Sequence, residues 1–187
     1  MKSLLVSLLL AVGLLSGCEQ PAHAAKHPHF KELQNLQTLG EQARQAELPI
    51  LLMFGAEWCE FCEQLNEEIF EPMGLNGLYE GKVMFMRHVG VDEQALIPGW
   101  NGQMIKKSNW AYALDADLTP TVLFVDGSGR EVAPRIVGIS EITLYAGLVH
   151  QNLNTAYKNM GLSKQIPITP ELLYLESQAL ESPHTPK

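Results

Sequence analysis

The chain has 187 residues, 46% of them hydrophobic, with a formal net charge of −8 and three cysteines. That is enough apolar material for one ordinary domain with a packed core, plus appendages. No cluster of Lys or Arg stands out, which argues against nucleic acid as a partner, because phosphate binding needs grouped cations.

Lys2 is the only charge before residue 19, and the apolar run "LLVSLLLAVGLL", residues 4–15, follows it. The run is too short to span a bilayer as a helix but suits the apolar region of an export signal. "LSGC", residues 15–18, resembles the bacterial lipobox, in which a small residue precedes the Cys at which the signal is cut. The resemblance implies a mature chain that starts at lipidated Cys18 and is anchored to a membrane of the bacterial cell envelope, facing the periplasm or the exterior. More than one acyl chain is needed for firm anchoring. An ordinary cleaved signal peptide, leaving Cys18 free or removed, is the competing reading. Residues 19–29 are polar, with two prolines, and read as a flexible tether. His23, His27 and His29 lie in it, but spacing alone does not build a closed metal site.

From residue 30 the chain is patterned. Phe30, Leu33, Leu36 and Leu39 recur at near-helical spacing and predict one amphipathic helix over 30–47. "LPILLMFGA", residues 48–56, predicts a strand buried on both faces. "EQLNEEIFEP", residues 63–72, predicts a helix with Leu65, Ile69 and Phe70 on its apolar side and Pro72 just past its end. Residues 82–91 predict a second buried strand and residues 103–114 a helix. Residues 120–139 read as two strands joined by a turn at Asp126–Gly129. Residues 140–161 predict a long helix, with Ser140 as N-cap and Gly161 as stop. Thr169 and Pro170 look like the start of a last helix carrying Leu172, Leu173, Leu175, Ala179 and Leu180, which either docks back on the domain or receives a partner. Strands alternating with helices give an α/β class, a mixed central sheet covered on both faces, with extra helices at each end. The expected organisation is a signal over 1–17, lipidated Cys and tether over 18–29, a domain over 30–161 and a C-terminal helical tail over 162–187.

Cys59 and Cys62 sit where the first strand gives way to a helix, in "FGAEWCEFC". Unpaired backbone N–H groups at a helix start stabilise negative charge and so favour a thiolate nucleophile. Cys62, one turn later, is close enough to form a disulfide with Cys59. Cys59 is expected to be the exposed attacker of a target disulfide, and Cys62 the shielded thiol that resolves the mixed disulfide. A structural disulfide competes with this, although so small a loop removes little unfolded-state entropy. A zinc site would need further ligands; no second CxxC is present, and His88 reads as a packed strand residue. Copper(I) suits soft thiolates, but Met53, Met84 and Met86 read as core rather than as ligands.

These residues resemble the thioredoxin family. "FGAEWCEFC" carries the Trp directly before the first Cys, and "LTPTVLFVDGSGREV", residues 118–132, resembles the family's cis-proline segment and following hairpin. The likeness spans roughly residues 45–160. It implies a thioredoxin fold, a cis Pro120 facing the cysteines, a Thr119 backbone that receives an extended substrate chain, and Trp58 as a lid. It implies no cofactor beyond the redox-active Cys59–Cys62 pair. Within the family the chain is most similar to exported, membrane-tethered members that act as dedicated reductases and draw electrons from a membrane donor. Two departures matter. Met53 stands where the family carries a buried Asp, six positions before the first Cys, with Glu57 or Glu60 as substitutes. Glu60 and Phe61 replace the usual Gly-Pro between the cysteines. Glu60 should repel a Cys59 thiolate and make the pair a stronger reductant. The expected protein is therefore a reductase of protein disulfides, with a disulfide oxidase or isomerase, or a binding or copper-handling lipoprotein, as the alternatives. Trp100, Trp110 and Tyr112 read as packing rather than as a docking patch.

Overall fold

A computed structural model describes residues 27–181. The expected signal, Cys18 and His23 lie outside the described residues. A four-stranded sheet in the order Phe85–Gly90, Ile50–Gly55, Thr121–Val125, Glu131–Val137 organises the chain, and helices cover both faces.

The first helix, α1, spans Leu36–Ala46 rather than starting at residue 30. Asn35 sets the start, because its side chain accepts the Thr38 N–H at 2.9 Å. Residues before it run extended beside the sheet: the Leu33 N–H donates to the His88 carbonyl and the His88 N–H to the Lys31 carbonyl. The three-residue spacing of Phe30 and Leu33 then has a different cause. On an extended chain, odd spacing sends side chains to opposite faces, and Phe30 and Leu33 indeed enter different core layers.

Strand β1 (Ile50–Gly55) is buried along its whole length. Ile50, Leu52 and Phe54 join the layer with α1, whereas Leu51 and Met53 join the opposite one. Helix α2 (Glu60–Leu65) continues through a π-helical turn, Asn66–Phe70, into α3 (Glu71–Leu75). Pro72 is therefore inside the helix, not past its end. Proline has no N–H and crowds the carbonyl four residues back; the wider π turn just before it loosens that crowding.

Strand β2 (Phe85–Gly90) lies parallel to β1. A two-stranded hairpin follows, β3 (Leu96–Pro98) and β4 (Met104–Lys106), then helix α4 (Lys107–Ala113). The predicted helix over 103–114 thus loses its first turn to a strand. The reason is the tight turn before it: the Gly99 N–H donates to the Gln103 carbonyl at 2.8 Å, and Gly102 takes φ +78°, which favours glycine.

Strands β5 (Thr121–Val125) and β6 (Glu131–Val137) form the closing antiparallel hairpin. Its turn is held by Asp126, whose carboxylate accepts the Ser128 and Arg130 N–H groups. Gly129 has φ +88° there, and a Cβ on it would run into the Trp100 indole. Helix α5 (Ile142–Asn159) is capped by Glu141, which accepts the Thr143 N–H, instead of by Ser140. Gly161, just beyond its end, has φ +77°, as a helix stop requires. The chain then docks back on α5, with Asn154 bonding both backbone groups of Ile166. Helix α6 (Pro170–Glu181) packs Leu173 on the core but exposes Leu172, Tyr174, Leu175 and Leu180.

Candidate active site

The site grows from the end of β1. Beyond Gly55, a turn closed by the Cys59 N–H on the Ala56 carbonyl, at 3.1 Å, delivers Cys59 to the start of α2. Cys59 is the N-cap itself, with φ −94° and ψ 99°, rather than a residue of the first turn. The Cys62 N–H donates to Cys59 Sγ at 3.2 Å, so a helix-start donor points at this sulfur. Cys59 and Cys62 are joined in a disulfide with their Cα atoms 5.2 Å apart. The expected contrast in exposure is small: Cys59 is 7% exposed and Cys62 2%. The disulfide draws both sulfurs onto one core layer, beside Met53, Leu65 and Val122.

Trp58, directly before Cys59 in the chain, and Phe61, between the two cysteines, are both largely exposed. Trp58, at 71% exposure, is a projecting apolar surface rather than a closed lid, because the turn from Ala56 to Cys59 carries it at its outer tip. Across the sheet, the Thr119–Pro120 peptide is cis. Thr121 pairs with Phe54, so Pro120 enters the sheet at the edge where β1 leads to the cysteines. The loop is fixed there by the Thr121 hydroxyl, which donates to the Leu118 carbonyl, and by the Pro120 carbonyl, which accepts the Gly138 N–H. Leu118 is exposed on the same loop. Glu60 begins α2 and is exposed. Glu57 is exposed too, its N–H bonded to Asp92.

Behind Cys62 lies a cavity of about 560 Å³, with Glu32, Ala56, Cys62, Asn66, His88 and Glu93 in its wall. His88 is more than a packed strand residue. Its Nδ1 hydrogen-bonds Glu32 Oε2. Glu32 Oε1 accepts from Lys107 Nζ at 2.5 Å and from the Gly90 N–H at 3.0 Å. Lys107, whose side chain is 1% exposed, also donates to Glu93 Oε2 at 2.6 Å. Burial of Glu32 opposes its ionisation, but hydrogen bonds and charge from His88, Lys107 and Gly90 prevail and hold its carboxyl below the usual range. Glu32, Lys107 and Glu93 carry no local signal in the sequence: 56 residues separate Glu32 from His88 and 75 from Lys107.

The remaining candidates sort cleanly. Met53, Met84 and Met86 are buried in the core. Trp100 and Trp110 pack on the α1 layer, Trp110 with its ring 5.3 Å from that of Phe54, while Tyr112 is exposed. His27 pairs with Glu63 at 3.2 Å. Among the described residues no group of three or more His, Cys, Asp or Glu is placed to hold a metal.

The model of the thioredoxin-like domain family matches residues 36–153. The chain belongs to this family. A thioredoxin-fold protein from Helicobacter pylori is similar at 16% identity over 83% of this chain and 91% of that one, with a TM-score of 0.51. Thioredoxin O2 from Arabidopsis thaliana, in its oxidized state, is similar at 23% identity over 66% of this chain and 93% of that one, with a TM-score of 0.43. At 16% identity the likeness to the Helicobacter pylori protein is one of fold, and together with the family match it gives a thioredoxin fold. A search of curated proteins gave no match. The thioredoxin-like domain thus holds a close Cys59–Cys62 pair at its strand-to-helix junction, the arrangement thiol–disulfide exchange requires.

Proposed function

We propose that the protein is an extracytoplasmic thiol–disulfide oxidoreductase that reduces protein disulfides with the Cys59–Cys62 dithiol. The observation that carries this reading is the disulfide itself, formed across one helical turn at the N-cap of α2 in a thioredoxin-like domain. A structural staple across so short a loop would contribute little. The Cys59 thiolate attacks the target disulfide and one target sulfur leaves as a thiolate. Cys62 then attacks Cys59 Sγ, the enzyme disulfide closes, and the second target sulfur leaves. Two electrons pass from enzyme to target, and a membrane thiol donor restores the dithiol.

Trp58 and Phe61, adjoining the cysteines in the chain, and Leu118, on the loop of the cis proline, are exposed apolar groups that suit an unfolded or extended target chain. The Thr119 backbone, fixed beside cis Pro120, receives that chain. In this reading a leader and a lipid on Cys18 hold the domain outside the cytoplasm on a membrane. No cofactor takes part.

The test is the reduction potential of the Cys59–Cys62 couple in the soluble domain, equilibrated against defined thiol buffers. A value at or below about −250 mV is expected, in the range of thioredoxin. A value of roughly −120 to −180 mV would turn the protein into an oxidase or isomerase. No reversible couple, with tight stoichiometric copper binding, would make it a binding protein. In the same titration Glu60→Gln should raise the potential, because removing a negative charge beside Cys59 stabilises the thiolate form. An unchanged potential would remove Glu60 from the mechanism.

A further inference from the structure

For the second half of the exchange, Cys62 must lose its proton, and burial among apolar groups disfavours the thiolate. Met53, on β1, has no proton to exchange, but a titratable group also lies beside Gly55. A Cβ built on Gly55 would meet His88 Nε2 at 2.7 Å, Met53 Sδ at 3.1 Å and the Cys62 Cβ at 3.3 Å. Gly55 therefore leaves open a point that His88 Nε2 and Cys62 both border. Both residues also line the cavity behind the disulfide, which Cys59 does not. Asn66, in the same wall, has its buried Oδ1 without a hydrogen-bond partner among the described residues, which offers an acceptor to a solvent molecule between the two.

The hydrogen bonds fix what His88 can do there. An ionised Glu32 only accepts, so His88 Nδ1 carries the proton of that bond, and in the neutral imidazole the Nε2 lone pair is left for the cavity. We propose that His88 is the general base for Cys62, with Glu32 as its positioning residue and Lys107 holding Glu32 in place. This rests on the exchange chemistry proposed above. The Cys62 S–H proton passes to His88 Nε2, directly or through one solvent molecule. The Cys62 electron pair forms the S–S bond to Cys59 Sγ. The bond from Cys59 to the target sulfur breaks, and the target leaves as a thiolate that takes up the proton. The groups facing this proton are Glu32 and His27 from the N-terminal segment, Glu57 from the turn before Cys59, Glu63 from α2, Glu93 beyond β2, and Lys107 from α4. Glu63 and His27 pair with each other, as do Lys107 and Glu93.

The reduced domain is mixed in a stopped-flow instrument with a symmetrical aromatic disulfide that releases one coloured thiolate at each step. The first release reports attack by Cys59 and the second reports resolution by Cys62. In His88→Gln the second release should slow by about a hundredfold at neutral pH, with the first unchanged. It should regain the wild-type rate as rising pH lets hydroxide deprotonate Cys62. Glu32→Gln should slow the same step with the same pH behaviour. A second release as fast as wild type in both variants overturns the relay, and so does equal slowing of both releases at every pH, which marks a merely structural role. Absence of the first release from the wild-type protein sinks the exchange reading itself, and the relay with it.

Discussion

Cys59→Ser should lower reduction of insulin by dithiothreitol-recharged protein by at least about a thousandfold, a loss of the size seen when a nucleophile is removed. Cys62→Ser should instead make the first attack normally and then stall, accumulating a disulfide-linked adduct visible on a non-reducing gel. The assignment does not rest on exposure, since both cysteines are buried. It rests on electrostatics and position. Cys59 is the cap of α2 and its sulfur receives the Cys62 N–H, so negative charge is better tolerated there than on Cys62, which stands on the cavity wall one turn further in. Cys59 also has Trp58 and Phe61, both exposed, as neighbours against which a target can rest. Adduct formation by Cys59→Ser, with none by Cys62→Ser, would reverse the two roles. It would also overturn the order of steps on which His88 depends.

Local chemistry decided what the sequence could disclose. Strand β1 was legible because both faces of the sheet are covered, so that an unbroken apolar run can mean little else. The cysteine pair was legible because its spacing is one helical turn, and Pro120 because its flanks resemble a known segment. The segment 30–35 misled because Phe30 and Leu33 satisfy helical spacing and an extended, two-sided burial equally well. Only the Asn35 cap separates the two, and asparagine is common in loops. Pro72 read as a terminator because the π turn that accommodates it has no sequence signature. The Glu32–His88–Lys107–Glu93 network was invisible for a stronger reason. Its members come from four places brought together by the sheet and α4, and each alone reads as an ordinary surface charge or a strand residue. Met53 was the one local hint, since the resemblance to the thioredoxin family implies an acid at that position.

Lys107→Met should destabilise the domain by about 3 kcal/mol, the low end for removing one partner of a buried ion pair. For a chain of this size that lowers Tm by about 6–12 °C. Lys107 is fully covered and holds two carboxylates, Glu32 at 2.5 Å and Glu93 at 2.6 Å; without it both are left close together. Glu93 is 39% exposed and finds water, which keeps the loss at the low end. The sign of the pH dependence follows from Glu32. Its carboxyl is held below the ordinary value of 4.5 in the folded state. Its contribution is therefore complete above that value and is lost as pH falls through the lower, folded one. The gap between wild type and Lys107→Met in urea unfolding should thus be constant at neutral pH and close in acid. Replacing the whole group with apolar side chains, as Glu32→Leu with Lys107→Met and Glu93→Leu, should recover most of the stability, because buried ion pairs rarely exceed well-packed apolar substitutes. The same triple variant should still release its second thiolate slowly, since His88 has lost the carboxylate that orients it. A stable protein with an impaired second step would show that the network's value lies in the direction His88 faces, not in the free energy of folding. Recovery of both together would leave it a structural element alone.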